Sequence, residues 1–290
     1  MNKAPHHSNS DQRTDIKRAA IKRTDIKQAN ITLQSLASIL QQAGQEIILP
    51  AFQRSIQSCK KADGSFVTET DLACQRFIES ELFKLDGSIA FLGEEMNEAE
   101  QLQCLDNNSY WCLDPLDGTT NFIASFPGFA ISLALIQAGQ AQLACIYDPV
   151  RHEMFTAERD AGVWLNQQPI TCSKQNQLND AIGFVDFKRL NRHTAISLAC
   201  DRSYRSQRNI GSCALEWAWL AAGRGDFIIH GSEKIWDFAA GSLIAQTAGA
   251  CVGDFTGQAL FPCQKLSSPI LATCSPSIQE KLQVQLANNR

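Results

Sequence analysis

The spacing of apolar residues predicts helices near the start of the chain. From Leu33 to Ile47, apolar side chains recur every third or fourth position, the pattern of one helix face. Pro50 is expected to kink or split this helix, because proline lacks the amide donor that the helix needs. The segment FVTETD at 66–71 predicts a short strand or turn leading into a second helix. Four apolar residues of that second helix are expected to pack inward: Leu72, Phe77, Ile78 and Leu82.

The middle of the chain reads as strands joined by short turns. IAFLGEE at 89–95 predicts a strand that ends in two acids. The run 129–158 predicts a three-stranded meander with turns at Ala138–Gly139 and Asp148–Pro149. A further short strand and turn are expected at 161–170.

The second half of the chain alternates between strand and helix patterns. Strands are predicted at 182–187, 226–231, 251–255 and 270–275, and helices at 214–223, 236–249 and 276–288. An antiparallel first half followed by an alternating half predicts a mixed α and β protein with stacked layers of sheets and helices.

Composition narrows the class without identifying it. The 290 residues allow one large domain or two halves that share a core, and 44% hydrophobic with 19% charged residues is ordinary for a globular protein. The net charge of −4 gives no global attraction to nucleic acid or to an anionic membrane. No apolar run reaches the roughly 18 residues of a membrane helix, and the N-terminus lacks the apolar stretch of a secretory signal.

Cysteines and histidines exclude the common metal signatures. The closest pair of the eleven cysteines, Cys104 and Cys112, is eight residues apart, so a zinc ribbon is excluded. Most cysteines lie among apolar neighbours, which favours small buried hydrophobes and a reducing cytoplasm. The five histidines are scattered, so carboxylates have to bind any metal.

Residues 1–30 are predicted to be a disordered tail. RTDIKRA at 13–19 returns as RTDIKQA at 23–29, and the isoleucine spacing suits neither a helix face nor a strand. The basic residues of this repeat allow an RNA-binding arm as the alternative. They are interleaved with acids and lack aromatic residues for stacking on bases, which favours a solvated tail.

The stretch WCLDPLDGTTNF at 111–122 carries the strongest chemical signal. Asp114 and Asp117 stand three residues apart across a predicted turn that contains Pro115, directly after a predicted buried strand. Gly118 allows the backbone to approach a ligand without a Cβ. Two acids followed by Gly-Thr-Thr are suited to binding a hard cation and a phosphate group. The simpler interpretation is an Asp-Gly turn between two elements.

This string resembles the signature of the inositol monophosphatase family, whose members are Mg-dependent, lithium-sensitive phosphomonoesterases. Three further segments carry the resemblance: FVTETD at 66–71, FLGEE at 91–95 and WDFAAG at 236–241. The resemblance implies the αβαβα layered sandwich of the inositol monophosphatase and fructose bisphosphatase type. It also implies an N-terminal α+β half at 31–160 with the metal site and a C-terminal α/β half at 161–290 that completes it.

The resemblance also implies a metal site and a water activator. The implied ligands of two or three Mg²⁺ ions are the carboxylates of Glu94, Asp114, Asp117 and Asp237 and the carbonyl of Leu116. Asp71 and Thr119 are the implied pair that orients and deprotonates a metal-bound water. Simpler interpretations stay open: Asp71 or Asp237 is a helix N-cap, and Glu94 with Glu95 is an exposed acidic corner.

Other positions match the family's substrate contacts. The amides of Gly118 and Thr119 are expected to meet the phosphate, and Gly211, Ser212 and Cys213 match a loop that touches the sugar-like ring. His230 stands seven residues before Asp237, where inositol-specific members have a glutamate, and this difference argues against strict inositol specificity. A strand-end histidine facing water is the alternative. Lys60 and Glu95 match supporting positions beside the metals.

The sequence therefore predicts a Mg²⁺-dependent phosphomonoesterase acting on inositol monophosphate or a similar polyol phosphate. Rival enzymes are a 3′-phosphoadenosine 5′-phosphate nucleotidase and a fructose bisphosphatase, which the basic residues Lys188, Arg189, Arg192 and 202–208 would favour. The rival from another class is a regulatory binding protein that retains the fold. The expected partner is a small-molecule phosphate ester, without nucleic acid or membrane, in the cytoplasm. A homodimer is compatible with the resemblance.

Overall fold

The computed structural model describes residues 31–52, 58–60, 66–201 and 203–288, so the tail predicted for 1–30 lies outside the described residues. The α-helices of this part are α1 (Leu33–Ala43), α2 (Leu49–Phe52), α3 (Glu69–Leu85), α4 (Glu98–Cys104), α5 (Thr119–Ile123), α6 (Arg192–Cys200), α7 (Cys213–Ala221), α8 (Ile235–Thr247) and α9 (Pro276–Asn288). The strands are β1 (Ser58–Lys60), β2 (Phe66–Thr68), β3 (Ala90–Gly93), β4 (Ser109–Asp117), β5 (Ala130–Gln137), β6 (Gln140–Asp148), β7 (Glu153–Glu158), β8 (Gly162–Leu165), β9 (Gln168–Pro169), β10 (Ile182–Asp186), β11 (Ser206–Arg208), β12 (Phe227–Lys234), β13 (Cys251–Gly253) and β14 (Ser267–Thr273).

Two mixed sheets form the frame of the fold. Seven strands lie in the order β3-β4-β5-β6-β7-β8-β9, and five lie in the order β11-β10-β12-β14-β13. Among the described strands of the first sheet, the β3–β4 pair alone is parallel, so the predicted meander is confirmed within a mostly antiparallel sheet. In the second sheet β10 runs parallel to β11 and β12, whereas β14 is antiparallel to both of its neighbours.

Helices cover both faces of each sheet. Apolar residues of α1 and α3 pack on one face of the seven-stranded sheet, and α7 and α8 fill the space between the two sheets. Residues of α6 and α9 cover the outer face of the five-stranded sheet. The layers therefore alternate α, β, α, β, α, and the predicted sandwich is confirmed. None of the helices in the described ranges combines the length and apolar character that crossing a bilayer demands.

The predicted break at Pro50 occurs one turn earlier. A π-helical turn at Gly44–Ile48 separates α1 from α2, and Pro50 is the second residue of α2. A π turn and a proline both interrupt the regular ladder of helix hydrogen bonds, and here they are adjacent.

Helix α3 shows one wrong prediction of inward packing. Ile78 and Leu82 are buried, but Leu72 is 38% exposed. The buried stripe of α3 runs through Asp71, Cys74, Ile78 and Leu82 at helical spacing, and Leu72 lies off that stripe.

The first sheet continues beyond residue 160. Strands β8 and β9 pair with β7 and with each other, and the second sheet begins with β10 at Ile182. The division of the chain into halves at 160 stays a prediction.

Candidate functional site

A break in the pairing of β4 with β5 places the two acids of the central string. Asp114 pairs with Ser132 and Asp117 pairs with Ala130, so β4 carries one residue more than β5 over this step. Pro115 lies inside the irregular stretch and offers no amide donor for the ladder. The extra residue acts as a β-bulge, which re-aims side chains and lets two acids three residues apart reach the same region.

Gly118 turns the chain from β4 into α5. Its φ is +95°, the left-handed region that favours glycine. A Cβ at this position would lie 2.7 Å from the carbonyl oxygen of Gly128, so no other residue fits without a shift. The turn delivers Thr119 to the start of α5, where its Oγ1 lies 3.1 Å from both Asp71 Oδ1 and the carbonyl oxygen of Leu116.

Asp71 is the third residue of α3 rather than its N-cap, which is Thr68. One carboxylate oxygen, Oδ2, accepts hydrogen bonds from the backbone N–H of Thr68 at 2.9 Å and from the Thr68 hydroxyl. The other oxygen accepts from Thr119. Burial raises the pKa of Asp71, and the Thr68 hydrogen bonds offset part of that rise. The N-cap interpretation of Asp71 is therefore wrong, although the carboxylate does help to cap the helix.

Asp237 occupies the same place in α8. The N-cap is Lys234, and Asp237 Oδ2 accepts a hydrogen bond from the Lys234 backbone N–H at 3.1 Å. The interpretation of Asp237 as a simple N-cap is also wrong. Burial raises the pKa of Asp237 to about 8, with further contributions from the charges of Asp117 and Glu94.

Three carboxylates converge at the centre of the site. Asp114, Asp117 and Asp237 each offer an oxygen, and the three oxygens lie within 4.8 Å of one another. Burial raises the pKa of Asp114, and the charge of Glu94 adds to the rise. Burial also raises the pKa of Asp117 to about 6. Carboxylates that repel one another in a buried place are suited to a divalent cation, which relieves both the burial penalty and the repulsion.

Helix α7 holds Asp117 in position. Asp117 Oδ2 accepts a hydrogen bond from the backbone N–H of Ala214 at 2.7 Å and another from the Ser212 hydroxyl. Ser212 is also the N-cap of α7, and its side chain accepts from Leu215. The side chain of Ser212 thus contacts a carboxylate of the cluster, and the positive end of α7 stabilises that carboxylate.

A cavity of about 380 Å³ opens above the carboxylates. Ten of the residues predicted for the site line it: Glu94, Asp114, Leu116, Asp117, Gly118, Thr119, Gly211, Cys213, His230 and Asp237. Asp71 and Ser212 lie one contact behind the wall, through Thr119 and Asp117. The structure therefore brings the predicted metal, catalytic and substrate residues into one place.

The two supporting residues are less directly connected. The backbone N–H of Glu95 donates to Gln75 Oε1 at 3.0 Å, and Glu94 but not Glu95 is among the described residues that line the cavity. Gln101 Nε2 donates to the carbonyl oxygens of Gly93 and Glu94, which fixes the turn after β3. Lys60 pairs with Phe66 in the β1–β2 ladder, and its side chain lies outside the described part of the chain.

His230 is buried, so the interpretation of a strand-end histidine facing water is wrong. Only 3% of its surface is exposed, and its Nε2 lies 3.3 Å from Asp186 Oδ2. Its Nδ1 accepts a hydrogen bond from the backbone N–H of Ser232 at 3.3 Å, which assigns the ring proton to Nε2. Burial alone would raise the pKa of Asp186. The hydrogen bond from His230 and the charge of Arg189 hold it below its ordinary value.

Several residues of the cavity wall were not found from the sequence. They are Thr120, Asn121, Asp186, Asn209, Lys234 and Trp236. Asp186 ends β10 and pairs with His230 on the parallel strand β12. The signal that a sequence offers for such a residue is its place at the carboxyl end of a predicted strand.

The chain is similar in sequence and in fold to several known proteins. The sequence model described as the inositol monophosphatase family matches residues 30–289. The Nus factor SuhB of Vibrio cholerae is 37% identical over 70% of the chain and 76% of its own length. Inositol monophosphatase 1 of Solanum lycopersicum is 31% identical over 81% of the chain and 87% of its own length. The crystal structure of the extragenic suppressor protein SuhB from Bartonella henselae superposes with a TM-score of 0.78 at 29% identity, covering 89% of this chain and 99% of that one.

Proposed function

Because the chain belongs to the inositol monophosphatase family, we propose that it hydrolyses phosphate monoesters with Mg²⁺, and that inositol monophosphate is its foremost substrate. The observation that carries this proposal is the convergence of Asp114, Asp117 and Asp237 within 4.8 Å beside a Thr119 that is bonded to Asp71. A carboxylate cluster and an adjoining base are the two parts that metal-assisted hydrolysis requires.

A divalent cation is the cofactor that the family and the carboxylate cluster imply. We propose two or three Mg²⁺ ions, held by Asp114, Asp117, Asp237, Glu94 and the carbonyl of Leu116. When bound, such ions acidify a coordinated water and neutralise the phosphoryl oxygens. An all-oxygen donor set fits Mg²⁺, which prefers carboxylates and retains several waters.

Asp71 and Thr119 are suited to removing a proton from the attacking water. Thr68 occupies Oδ2 of Asp71, which leaves Oδ1 as the acceptor for the Thr119 hydroxyl at 3.1 Å. With its own proton donated towards Asp71, Thr119 Oγ1 can accept a proton from water in the cavity. The raised pKa of Asp71, caused by burial, makes it a better base than an ordinary carboxylate.

Asp186 supports a substrate with hydroxyl groups. It lines the cavity, and its lowered pKa keeps it ionised, so it can accept hydrogen bonds from ring hydroxyls. Inositol-specific relatives by resemblance use a glutamate at the position of His230. Here His230 lies against Asp186, so we propose that the neighbouring strand supplies the acceptor carboxylate instead.

Basic residues on the same wall favour a second candidate function. Lys188, Arg189 and Lys234 line the cavity and offer positive charge to a second anionic group. A 3′(2′),5′-bisphosphate nucleotide or fructose 1,6-bisphosphate carries such a group. The alternative from another class is a regulatory binding protein, since relatives at 36–37% identity have the name Nus factor SuhB.

A phosphate-release screen tests the proposal and ranks its alternatives. The full chain, supplied with excess Mg²⁺, is assayed on inositol monophosphate, 3′-phosphoadenosine 5′-phosphate and fructose 1,6-bisphosphate. The highest kcat/KM is expected for inositol monophosphate, and LiCl is expected to inhibit more than NaCl at equal ionic strength. A higher kcat/KM for either bisphosphate supports the second candidate. No release from any ester contradicts the enzyme proposal and favours the regulatory one.

The cellular setting is proposed on chemical grounds. Ten cysteines in the described residues are unpaired, which suits a reducing cytoplasm. The expected partner is a small phosphate ester, and we propose that hydrolysis requires neither nucleic acid nor membrane.

A further inference from the structure

Three side chains outside the carboxylate cluster meet on one side of the cavity. Cys213 is the first residue of α7, whereas His230 and Glu233 belong to β12. One donor atom from each lies within 4.8 Å of the others, and Cys213 Sγ is 3.8 Å from His230 Nε2. Sulfur, imidazole nitrogen and carboxylate oxygen are the ligands of borderline-soft transition metals. The fold brings these three residues together from two different elements. Their spacing in the sequence therefore matches no metal-binding signature.

An irregularity in β12 puts His230 and Glu233 on the same side. In a regular strand, residues three apart point to opposite faces. Here His230 pairs with Ile270 and Glu233 with Ser268, so β12 has one residue more than β14 over this step. The enclosed Gly231 packs against the backbone of Arg189, whose carbonyl oxygen lies 1.7 Å from where a Cβ would be. The bulge is therefore fixed by close backbone contact.

Glu233 is a fully buried acid that the proposed hydrolysis does not use. Its Oε2 accepts a hydrogen bond from Trp217 Nε1 at 2.8 Å, but Oε1 has no hydrogen-bond partner among the described residues. A buried carboxylate oxygen without a partner is costly and needs an explanation. Burial also raises the pKa of Glu233 and of the Cys213 thiol, so Cys213 is not a thiolate nucleophile by itself.

We propose that Cys213, His230 and Glu233 bind one Zn²⁺ ion, separately from the carboxylates of the central cluster. Tetrahedral Zn²⁺ with bonds of about 2.3 Å to sulfur and 2.0 Å to nitrogen sets the two ligand atoms ~3.5 Å apart. The observed separation of 3.8 Å is within a few tenths of an ångström of this value. A thiolate and a carboxylate together neutralise the ion, which makes a buried site tolerable.

The surroundings fit a three-ligand site with one open position. The Trp217 hydrogen bond fixes the Glu233 carboxylate, as outer partners of metal ligands commonly do. Binding at His230 Nε2 moves the ring proton to Nδ1, so the contact from Ser232 and the contact of Nε2 with Asp186, both 3.3 Å, are given up. Cys213 and His230 also line the cavity, and the fourth position faces water or a ligand there. If the proposed phosphatase function holds, Zn²⁺ at this site competes with the substrate.

Cobalt titration tests the site without relying on activity. The full chain in excess Mg²⁺ is titrated with Co²⁺, and the thiolate-to-cobalt charge-transfer absorption is followed. We expect one equivalent to bind with this absorption in the wild type and in Asp114→Asn. Cys213→Ser should abolish the absorption, and Glu233→Gln should weaken binding at least ~tenfold. Cys172→Ser, a half-buried cysteine elsewhere, is the matched control and should behave as the wild type.

Several results would overturn the proposal. They are no thiolate absorption in the wild type, absorption that survives in Cys213→Ser, and absorption that is lost in Asp114→Asn. X-ray absorption spectroscopy of the Zn²⁺-loaded wild type identifies the ligand atoms directly. It uses no variant, so misfolding of a variant cannot affect the result. One sulfur at about 2.3 Å is expected, whereas a shell of only nitrogen and oxygen contradicts the site.

Discussion

Asp71 and Asp237 hold equivalent positions at the starts of two different helices. Each is the third residue of its helix, and each carboxylate accepts a hydrogen bond from the backbone N–H of the N-cap residue, at 2.9 Å from Thr68 and 3.1 Å from Lys234. Capping occupies one oxygen of each carboxylate. At Asp71 the second oxygen accepts from Thr119. The residues that start these helices therefore also build the site, which ties its geometry to helix formation.

The pairing of Asp71 with Thr119 predicts which substitutions stop proton transfer. Asp71→Asn can still accept from the Thr68 backbone, so the fold should persist while kcat falls about 10²- to 10⁴-fold. The kcat of Thr119→Val should fall by a similar factor, whereas Thr119→Ser keeps the hydroxyl and should retain most of the activity. Steady-state assays at saturating Mg²⁺ check this, with the exposed Asp106→Asn as control. A kcat for Asp71→Asn within about threefold of the wild type, where general-base loss predicts at least a hundredfold, excludes Asp71 as the base.

The raised pKa values predict that the metal-free protein loses stability as pH rises. Asp117 and Asp237 have folded pKa values of about 6 and about 8, above the roughly 3.9 of an unfolded aspartate. Their contribution is complete below about pH 4 and is lost as pH rises through 6 to 8. Glu216, raised by burial to about 8, acts in the same direction.

Urea denaturation of the metal-free protein at pH 5 and pH 8 measures this effect. Asp237→Asn should show a smaller fall in unfolding free energy between the two pH values than the wild type or Asp106→Asn. Added Mg²⁺ should restore more stability at pH 8 than at pH 5. Equal pH dependence in Asp237→Asn and the wild type would show that Asp237 ionises as an ordinary carboxylate.

Alanine substitutions at Gly118 and Gly249 allow the stability cost of backbone strain to be distinguished from that of a steric clash. Both have left-handed φ angles, +95° and +99°, so alanine should cost each about 1–2 kcal/mol. Only at Gly118 does the added Cβ meet backbone, 2.7 Å from Gly128; at Gly249 the nearest atom is Cys172 Sγ at 3.6 Å. Gly118→Ala should therefore lose clearly more stability, as well as activity. Equal losses by chemical denaturation would mean that the turn adjusts freely.

Replacing His230 tests how the wall selects substrates. His230→Glu places a second carboxylate beside Asp186, where the ring nitrogen now lies 3.3 Å away. The ratio of kcat/KM for a bisphosphate to that for inositol monophosphate should fall at least ~tenfold, since like charges repel. His230→Gln should retain the ratio, and the exposed His193→Glu is the control. An unchanged ratio in His230→Glu would place this residue outside substrate recognition.

The apolar pattern predicted stacked layers of sheets and helices, whereas the five-layer order and the carboxylate cluster were implied by the family resemblance, which rests on short local motifs. Asp114 to Thr119 lie within one string, and the helix starts at Asp71 and Asp237 follow strand patterns. Contacts that depend on how the strands pair could not be predicted from the sequence. The Asp186–His230 contact requires β10 to lie parallel to β12, and the position of Glu233 requires a bulge opposite β14.

Irregular strand pairing also determines the conformation between Asp114 and Asp117, which the sequence predicted only in part. Pro115 suggested a turn between the two aspartates, but the strand continues to Asp117 with one extra residue. From the sequence, Asn121 had no predicted role beyond its place in the stretch at 111–122. Its Nδ2 donates to the carbonyl oxygens of Gly128 and Ile210, which ties the start of α5 to the loop before α7. Side chains that join distant loops leave no periodic pattern.

Asp114→Asn is the most direct test of hydrolysis at the carboxylate cluster. Asp114 is buried beside Asp117 and Asp237, and its amide analogue keeps the shape while removing one negative charge. Phosphate release from inositol monophosphate is measured at increasing Mg²⁺ in the wild type, Asp114→Asn and the control Asp106→Asn. The account predicts a loss of nearly all turnover in Asp114→Asn, with an unchanged fold by circular dichroism. Turnover near that of the wild type at ordinary Mg²⁺ would contradict it.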